Sequence, residues 1–137
     1  LPPLLAKDAM IKLLPWVALG GALGAMGRHG VDVLLPAGAG FPWGTLLINV
    51  VGSLLLALMP LSRFVRSRAW GPAFVGSGLL GGFTTMSAFS EQTRALLAGG
   101  QSALALWYVM ASVGLALGAV GLGNWYVARQ LRAEGSR

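Results

Sequence analysis

The chain is 137 residues long, 55% hydrophobic and only 10% charged, with a mean hydropathy of +0.72. So apolar a chain has too little polar surface to wrap a soluble globule, and it reads as one small membrane domain. With no cysteine and a single histidine, His29, disulfides, thiolate catalysis and thiol or histidine-cluster metal sites are excluded.

The net charge of +6 lies beside hydrophobic spans and forms no basic stripe with interleaved aromatics. It therefore reads as an orientation signal, and nucleic acid is not an expected partner. Residues 1–12 read as an N-terminal tail. Met10 opens MIKLLPWVALGG, which looks like a natural beginning, so Leu1 to Ala9 are expected to be added or upstream sequence. Lys7 and Lys12 ahead of an apolar run also resemble a signal peptide. No small-x-small cleavage site precedes a soluble domain, however, so a retained first helix is expected.

At about 20 apolar residues per crossing, four spans follow. The first runs from about Leu13 to Leu35 and carries Arg28, His29 and Asp32 in its last turns. The second, Phe41 to Leu61, is uncharged and meets Pro60 just before the basic loop of Arg63, Arg66 and Arg68. The third extends from Ala69 to about Leu97, and the fourth from Ala103 to Ala128, ahead of a basic tail at 129–137. Residues 13–128 thus form a single domain, with no internal repeat and no loop long enough to hold a soluble one.

The only polar side chains of the second span are Thr45, Asn49 and Ser53, spaced so that they stack on one helical face. Interhelical hydrogen bonding, at about 0.6 kcal/mol per bond, accounts for the two hydroxyls. Asn49 is different, because its amide carries two donors and is costly to bury unsatisfied, which favours a pore role. The third span contains GLLGGFTTMSAFSE, from Gly78 to Glu91, all but its last residue inside a stretch without charge from Ala69 to Ser90. Those glycines and hydroxyls favour an unwound backbone at membrane depth, where it survives only if protein buries it or if it lines a polar cavity or ion site. In the fourth span Tyr108 and Ser112 lie four apart and either continue a polar track or serve the aromatic belt and the helix itself.

Gly20 and Gly24, Gly78 and Gly82, and Gly114 and Gly118 have the spacing that lets helices approach closely. Arg28 and Glu91, each near a span end, either snorkel to the interface or form a vestibule and a polar pore mouth. His29 reads as solvated.

Three motifs in this order, GGALGAMGR, WGTLLINVVGS and GLLGGFTTMSAFSE, resemble those of the Fluc (CrcB) fluoride channel family over about Ala18 to Gly118. The family pattern GTLxxNxxGS is matched by Gly44, Thr45, Leu46, Asn49, Gly52 and Ser53, and GGxTTFSTFS by the run from Gly81 to Ser90. The resemblance implies an all-α membrane protein with four transmembrane helices, a break in the third, and an antiparallel dual-topology dimer. It implies passive fluoride efflux across the inner (cytoplasmic) membrane, which lowers cytoplasmic fluoride, and no enzyme activity. A structural sodium ion at the dimer interface would be held by the backbone carbonyls of Gly81 and Thr84. The fluoride pathway would use Asn49, Phe89, Ser87, Thr85, Tyr108 and Ser112, with Met86 where the family has the first of two box phenylalanines. The lipid bilayer and a second subunit, identical or a paralogue of opposite orientation, are the implied partners.

Two other classes fit four spans. A proton-coupled exporter of the small multidrug type needs a carboxylate embedded in the first helix, where only Asp32 is found, close to its end. A non-conducting assembly subunit would leave the Thr45, Asn49, Ser53 stripe and the broken third span without purpose.

Four spans place Lys7, Lys12, Arg63, Arg66, Arg68, Arg129, Arg132 and Arg137 on one side, against Arg94 and Arg28 on the other. Because basic flanks are retained in the cytoplasm, most copies should insert with both ends of the chain inside. An antiparallel partner is then a minority of inverted copies or an oppositely biased subunit. A cysteine appended after Arg137 should react from the cytoplasmic face in most copies in intact cells, and equal labelling from both faces would overturn the charge argument.

Overall fold

The computed structural model of the chain describes residues 3–38 and 40–135, with side chains over 10–38 and 40–133. The side chains of Lys7 and Arg137, and the reading of Leu1 to Ala9 as added sequence, lie outside the described residues. Every regular element among those described is helical. They are α1 (Pro3–Leu34), α2 (Trp43–Leu58) with a 3₁₀ turn at Met59–Leu61, α3 (Arg63–Arg66), a π-helical run (Ala73–Leu80), α4 (Gly81–Phe83), α5 (Met86–Ala98) and α6 (Ser102–Gly135).

Among the described residues, three helices are long and apolar enough to cross a bilayer: Met10–Leu34, Trp43–Leu61 and Ser102–Ala133. The third span of the sequence is not one helix. It winds as a π-helix and α4, opens at Thr84 and Thr85, and resumes as α5. Both helical ends run past their expected limits, since α1 begins within the residues read as a tail and α6 continues into the basic one.

Glycine decides how α1 meets the third span. The Phe74 and Leu79 carbonyls occupy the places that a Cβ at Gly20 or Gly24 would take, and the Gly21 carbonyl does the same at Gly82. Backbone therefore lies on backbone along this seam, and α1 packs against the π-helix and α4 more than against any other element. Close approach of this kind is held by dispersion and Cα–H···O contacts where lipid offers no hydrophobic gain. The third glycine pair behaves differently, because a Cβ at Gly114 or Gly118 would meet nothing within 4 Å. In the single chain those two residues face outward.

Elsewhere α2 packs along α6, and α5 turns back against α6. The core of this second group is Leu46, Leu96, Ala105 and Tyr108, with Phe41, Val50 and Phe89 around it. The turn from α5 into α6 is fixed by Gly100, the one residue among those described with a left-handed φ, at +74°. Gly100 N–H donates to Leu97 O at 3.1 Å and Gln101 N–H to Leu96 O at 2.9 Å, the paired bonds that close a helix on a glycine. At the other end of the bundle Trp16 stacks on Trp70 with ring centroids 4.0 Å apart, and the Arg68 guanidinium lies 4.1 Å over the Phe64 ring. The first half of α1 is thus tied, through Trp16, to the residues that follow the basic loop.

Adding a methyl at Gly24 forces two backbones apart, and overpacking costs roughly 1–3 kcal/mol. Gly21 is the control, since its nearest atom is the Gly78 carbonyl at 4.0 Å. Gly24→Ala should lower the midpoint of thermal unfolding and the yield of monodisperse protein, while Gly21→Ala should leave both near the parent's.

Candidate functional site at the helix break

The break is organised by two side chains. Asn49, partly buried on α2, accepts the Thr85 N–H on Oδ1 at 2.8 Å and donates from Nδ2 to the Thr85 carbonyl at 3.0 Å. Thr85 is extended (φ −148°, ψ 120°), so both backbone groups of this one residue are open to a single amide. The Thr85 hydroxyl then caps α5 by accepting the Ala88 N–H at 3.2 Å, and it shares a hydrogen bond with Ser87 Oγ at 3.2 Å. Thr84 folds its hydroxyl back onto the Leu80 carbonyl at 2.9 Å, which ends the preceding helix.

These bonds strip carbonyls of their usual donors. If the helix continued, Gly81 O would receive the Thr85 N–H and Thr84 O the Ala88 N–H. Asn49 and Thr85 have taken those two hydrogens. Gly82 O is answered from outside the segment by Arg28 Nε, 3.3 Å away. The positive side chain expected at a vestibule is therefore turned onto the break itself.

A cleft of about 430 Å³ opens beside this point, lined by Asn49, Ser53, Thr84, Thr85, Met86, Phe89 and Ser112, with Gly52, Gly81 and Ala116 among its walls. None of its lining residues is charged. Ser112 is buried, and its hydroxyl is the one buried side-chain oxygen or nitrogen among the described residues without a hydrogen-bond partner. A buried, unpaired hydroxyl is costly, and such groups mark a place for water, an ion or a ligand. Met86 is 73% exposed in the single chain, so the cleft opens outward past its side chain.

The structure thus brings Asn49, Thr85, Met86, Phe89 and Ser112 to one cleft, with the Gly81 and Thr84 carbonyls at its edge. Ser87 stands just behind, bonded to Thr85. Tyr108 does not line it. It is fully buried between Phe41 and Phe89, with ring centroids at 5.5 and 5.2 Å; its hydroxyl donates to Gln92 Oε1 at 2.8 Å and meets that of buried Thr45. The stripe on α2 accordingly divides: Thr45 belongs to this core, Asn49 to the break and Ser53 to the cleft. Glu91 is exposed and paired with Arg94, with Oε1 to Nη2 at 2.6 Å, a surface ion pair that contributes little.

Sequence reasoning passed over Gln92, although it lies one helical turn beyond Phe89 and so shares its face. It also gave Asn49 two donors for a ligand, whereas one of them is committed to Thr85.

Residues 15–124 match the family described as CrcB-like protein, Camphor Resistance (CrcB). Among curated relatives, the chain is 47% identical over 129 residues to the fluoride-specific ion channel FluC of Sphingopyxis alaskensis, which covers 90% of this chain and all of that protein. It is 47% identical to the FluC of Thermus thermophilus over 74% of this chain and 83% of the relative. The corresponding protein of Cereibacter sphaeroides is 46% identical over 79% and 88%.

Removing the Asn49 amide strands the Thr85 N–H and carbonyl together, and an unsatisfied buried group costs about 1–3 kcal/mol. Asn49→Ala should therefore lose stability of that order in thermal or denaturant unfolding. Asn49→Asp keeps both bonds only while its carboxyl is protonated and donates to the Thr85 carbonyl, so its loss should be smaller at low pH and should grow as the pH rises and the carboxylate forms.

Proposed function

This chain belongs to the CrcB-like protein family, and on that footing we propose that it is a passive, fluoride-selective channel of the cytoplasmic membrane and not an enzyme. The observation that carries this reading is the uncharged cleft where a hydrogen-bonded helix break, the α2 amide and the unpaired Ser112 hydroxyl come together. Fluoride is small and strongly hydrated, so moving it through a membrane means replacing its water with closely spaced donors. The remaining Asn49 N–H, the Ser112 hydroxyl and the one hydroxyl hydrogen that the Thr85–Ser87 pair leaves free supply them, without a lysine or arginine in the cleft to trap the anion. Phe89 adds the weakly positive edge of its ring.

The exporter alternative needs a membrane-embedded carboxylate at the transport site. The cleft has none, and Asp32 lies at the far end of α1. In the channel reading the broken segment from the π-helix to α5 makes the fourth crossing, and Tyr108 and Gln92 hold the aromatic wall behind Phe89. The outward-facing cleft and its exposed Met86 fit closure by a second, antiparallel subunit, either an inverted copy or an oppositely oriented relative.

The Gly81 and Thr84 carbonyls, deprived of helical donors, suit a hard monovalent cation such as sodium, which takes oxygen ligands. A bound cation would supply positive charge to those carbonyls and fix the break. No cluster of carboxylates or histidines is found among the described residues, and carbonyl ligation requires none.

Purified protein in liposomes should release fluoride down its gradient without a proton or nucleotide gradient and should hold back chloride. Failure to release fluoride above empty liposomes would overturn the channel reading. In the same assay, at matched dimer content, Met86→Phe should raise throughput about two- to fivefold, equivalent to ~0.5–1 kcal/mol of aromatic contact. A slower Met86→Phe channel would count against any role for a ring edge at that position.

A further inference from the structure

Cation affinity at a helix break depends on which carbonyls are left open, and here side chains make that selection. The residues from Gly81 to Thr85 span the end of α4 and the opening before α5, and the carbonyls of Gly81, Gly82, Thr84 and Thr85 are not equivalent. The Gly82 oxygen is occupied by Arg28 and the Thr85 oxygen by Asn49. At Gly81 and Thr84 the helical donors have been diverted, the Thr85 N–H to Asn49 Oδ1 and the Ala88 N–H to Thr85 Oγ1.

We infer that Thr85 is the positioning residue of the cation site: its hydroxyl, by holding the Ala88 N–H, prevents α5 from winding back one residue and closing the Thr84 carbonyl. Asn49 performs the same service for Gly81, so the amide that faces the anion cleft also governs the cation's ligands. This rests on the reading of the break as a cation site given above. Thr85 contributes no ligand of its own in this arrangement. Toward the cation its hydroxyl acts only through the backbone, which distinguishes it from a residue that touches that ion.

Three proteins are compared in detergent, with thermal unfolding followed by tryptophan fluorescence as sodium chloride replaces N-methylglucamine chloride at constant ionic strength. The parent should be stabilised by sodium. Thr85→Val keeps the shape but removes the acceptor, and its half-saturating sodium concentration should rise at least tenfold. Thr85→Ser restores the oxygen and should stay within about twofold of the parent. If Thr85→Val does not assemble, Thr85→Ala removes the same oxygen without added bulk and is read in its place. A parent that responds to sodium together with an unaltered response in the oxygen-free variant that is read would overturn the inference and leave the cation site standing. A parent indifferent to sodium would remove the site and the inference with it, and fluoride flux from that same protein would still test the channel independently.

Discussion

The rest of this molecule depends on one amide. Asn49 meets both backbone groups of Thr85, and in doing so it allows a membrane-embedded chain to stop being a helix without leaving its polar groups bare. In hydrocarbon the cost of an orphaned N–H or carbonyl runs to several kcal/mol, so a break needs a partner on a neighbouring helix. α2 supplies that partner at the middle of its polar stripe, and α6 holds α2 in place. The two bonds tie one packing group, α2 with α5 and α6, to the other, α1 with the π-helix and α4.

The group of α1, the π-helix and α4 is held by a different kind of contact. Gly20, Gly24 and Gly82 are pressed against carbonyls of the facing segment, so the seam has almost no side chain in it. Such a seam is stiff, because there are no rotamers to repack when it is strained. The π-helical run beside it, Ala73–Leu80, is wider than an α-helix and is the kind of element that accumulates at functional positions. The Gly81 N–H is shared between Gly76 O and Gly78 O, so the wide winding continues up to Gly81.

Much of this could be read from the sequence. Gly81, Gly82, Thr84 and Thr85 inside an uncharged stretch signal a break, because each weakens a helix locally by lacking a side chain or by bonding to its own backbone. The α2 stripe followed from spacing alone. What was not legible is where the hydrogen bonds go. Nothing in the spacing says that Asn49 would turn to backbone, that Arg28 would reach Gly82, or that Tyr108 would be sealed into the core by Gln92. Those outcomes depend on distances between elements far apart in the chain, 54 residues in the case of Arg28 and Gly82. The π-helix has no sequence signature of its own, and Glu91 drew attention by its charge although it is the neutral Gln92 that faces inward.

The tryptophans of α6 give the bilayer a scale. Trp107 and Trp125 are both exposed on this one uninterrupted helix, and at ~1.5 Å per residue their separation is about 27 Å, close to the ~30 Å of a hydrocarbon core. Amphipathic rings settle at the two water boundaries, so residue 116 lies at half depth. Ala116 is a wall of the cleft, one turn from Ser112. Two chains inserted in opposite directions are related by an axis lying within the membrane plane, and only atoms at half depth can meet their own counterparts across it. For the inverted partner proposed above, an ion lying on that axis would stand at half depth, level with the cleft wall at Ala116.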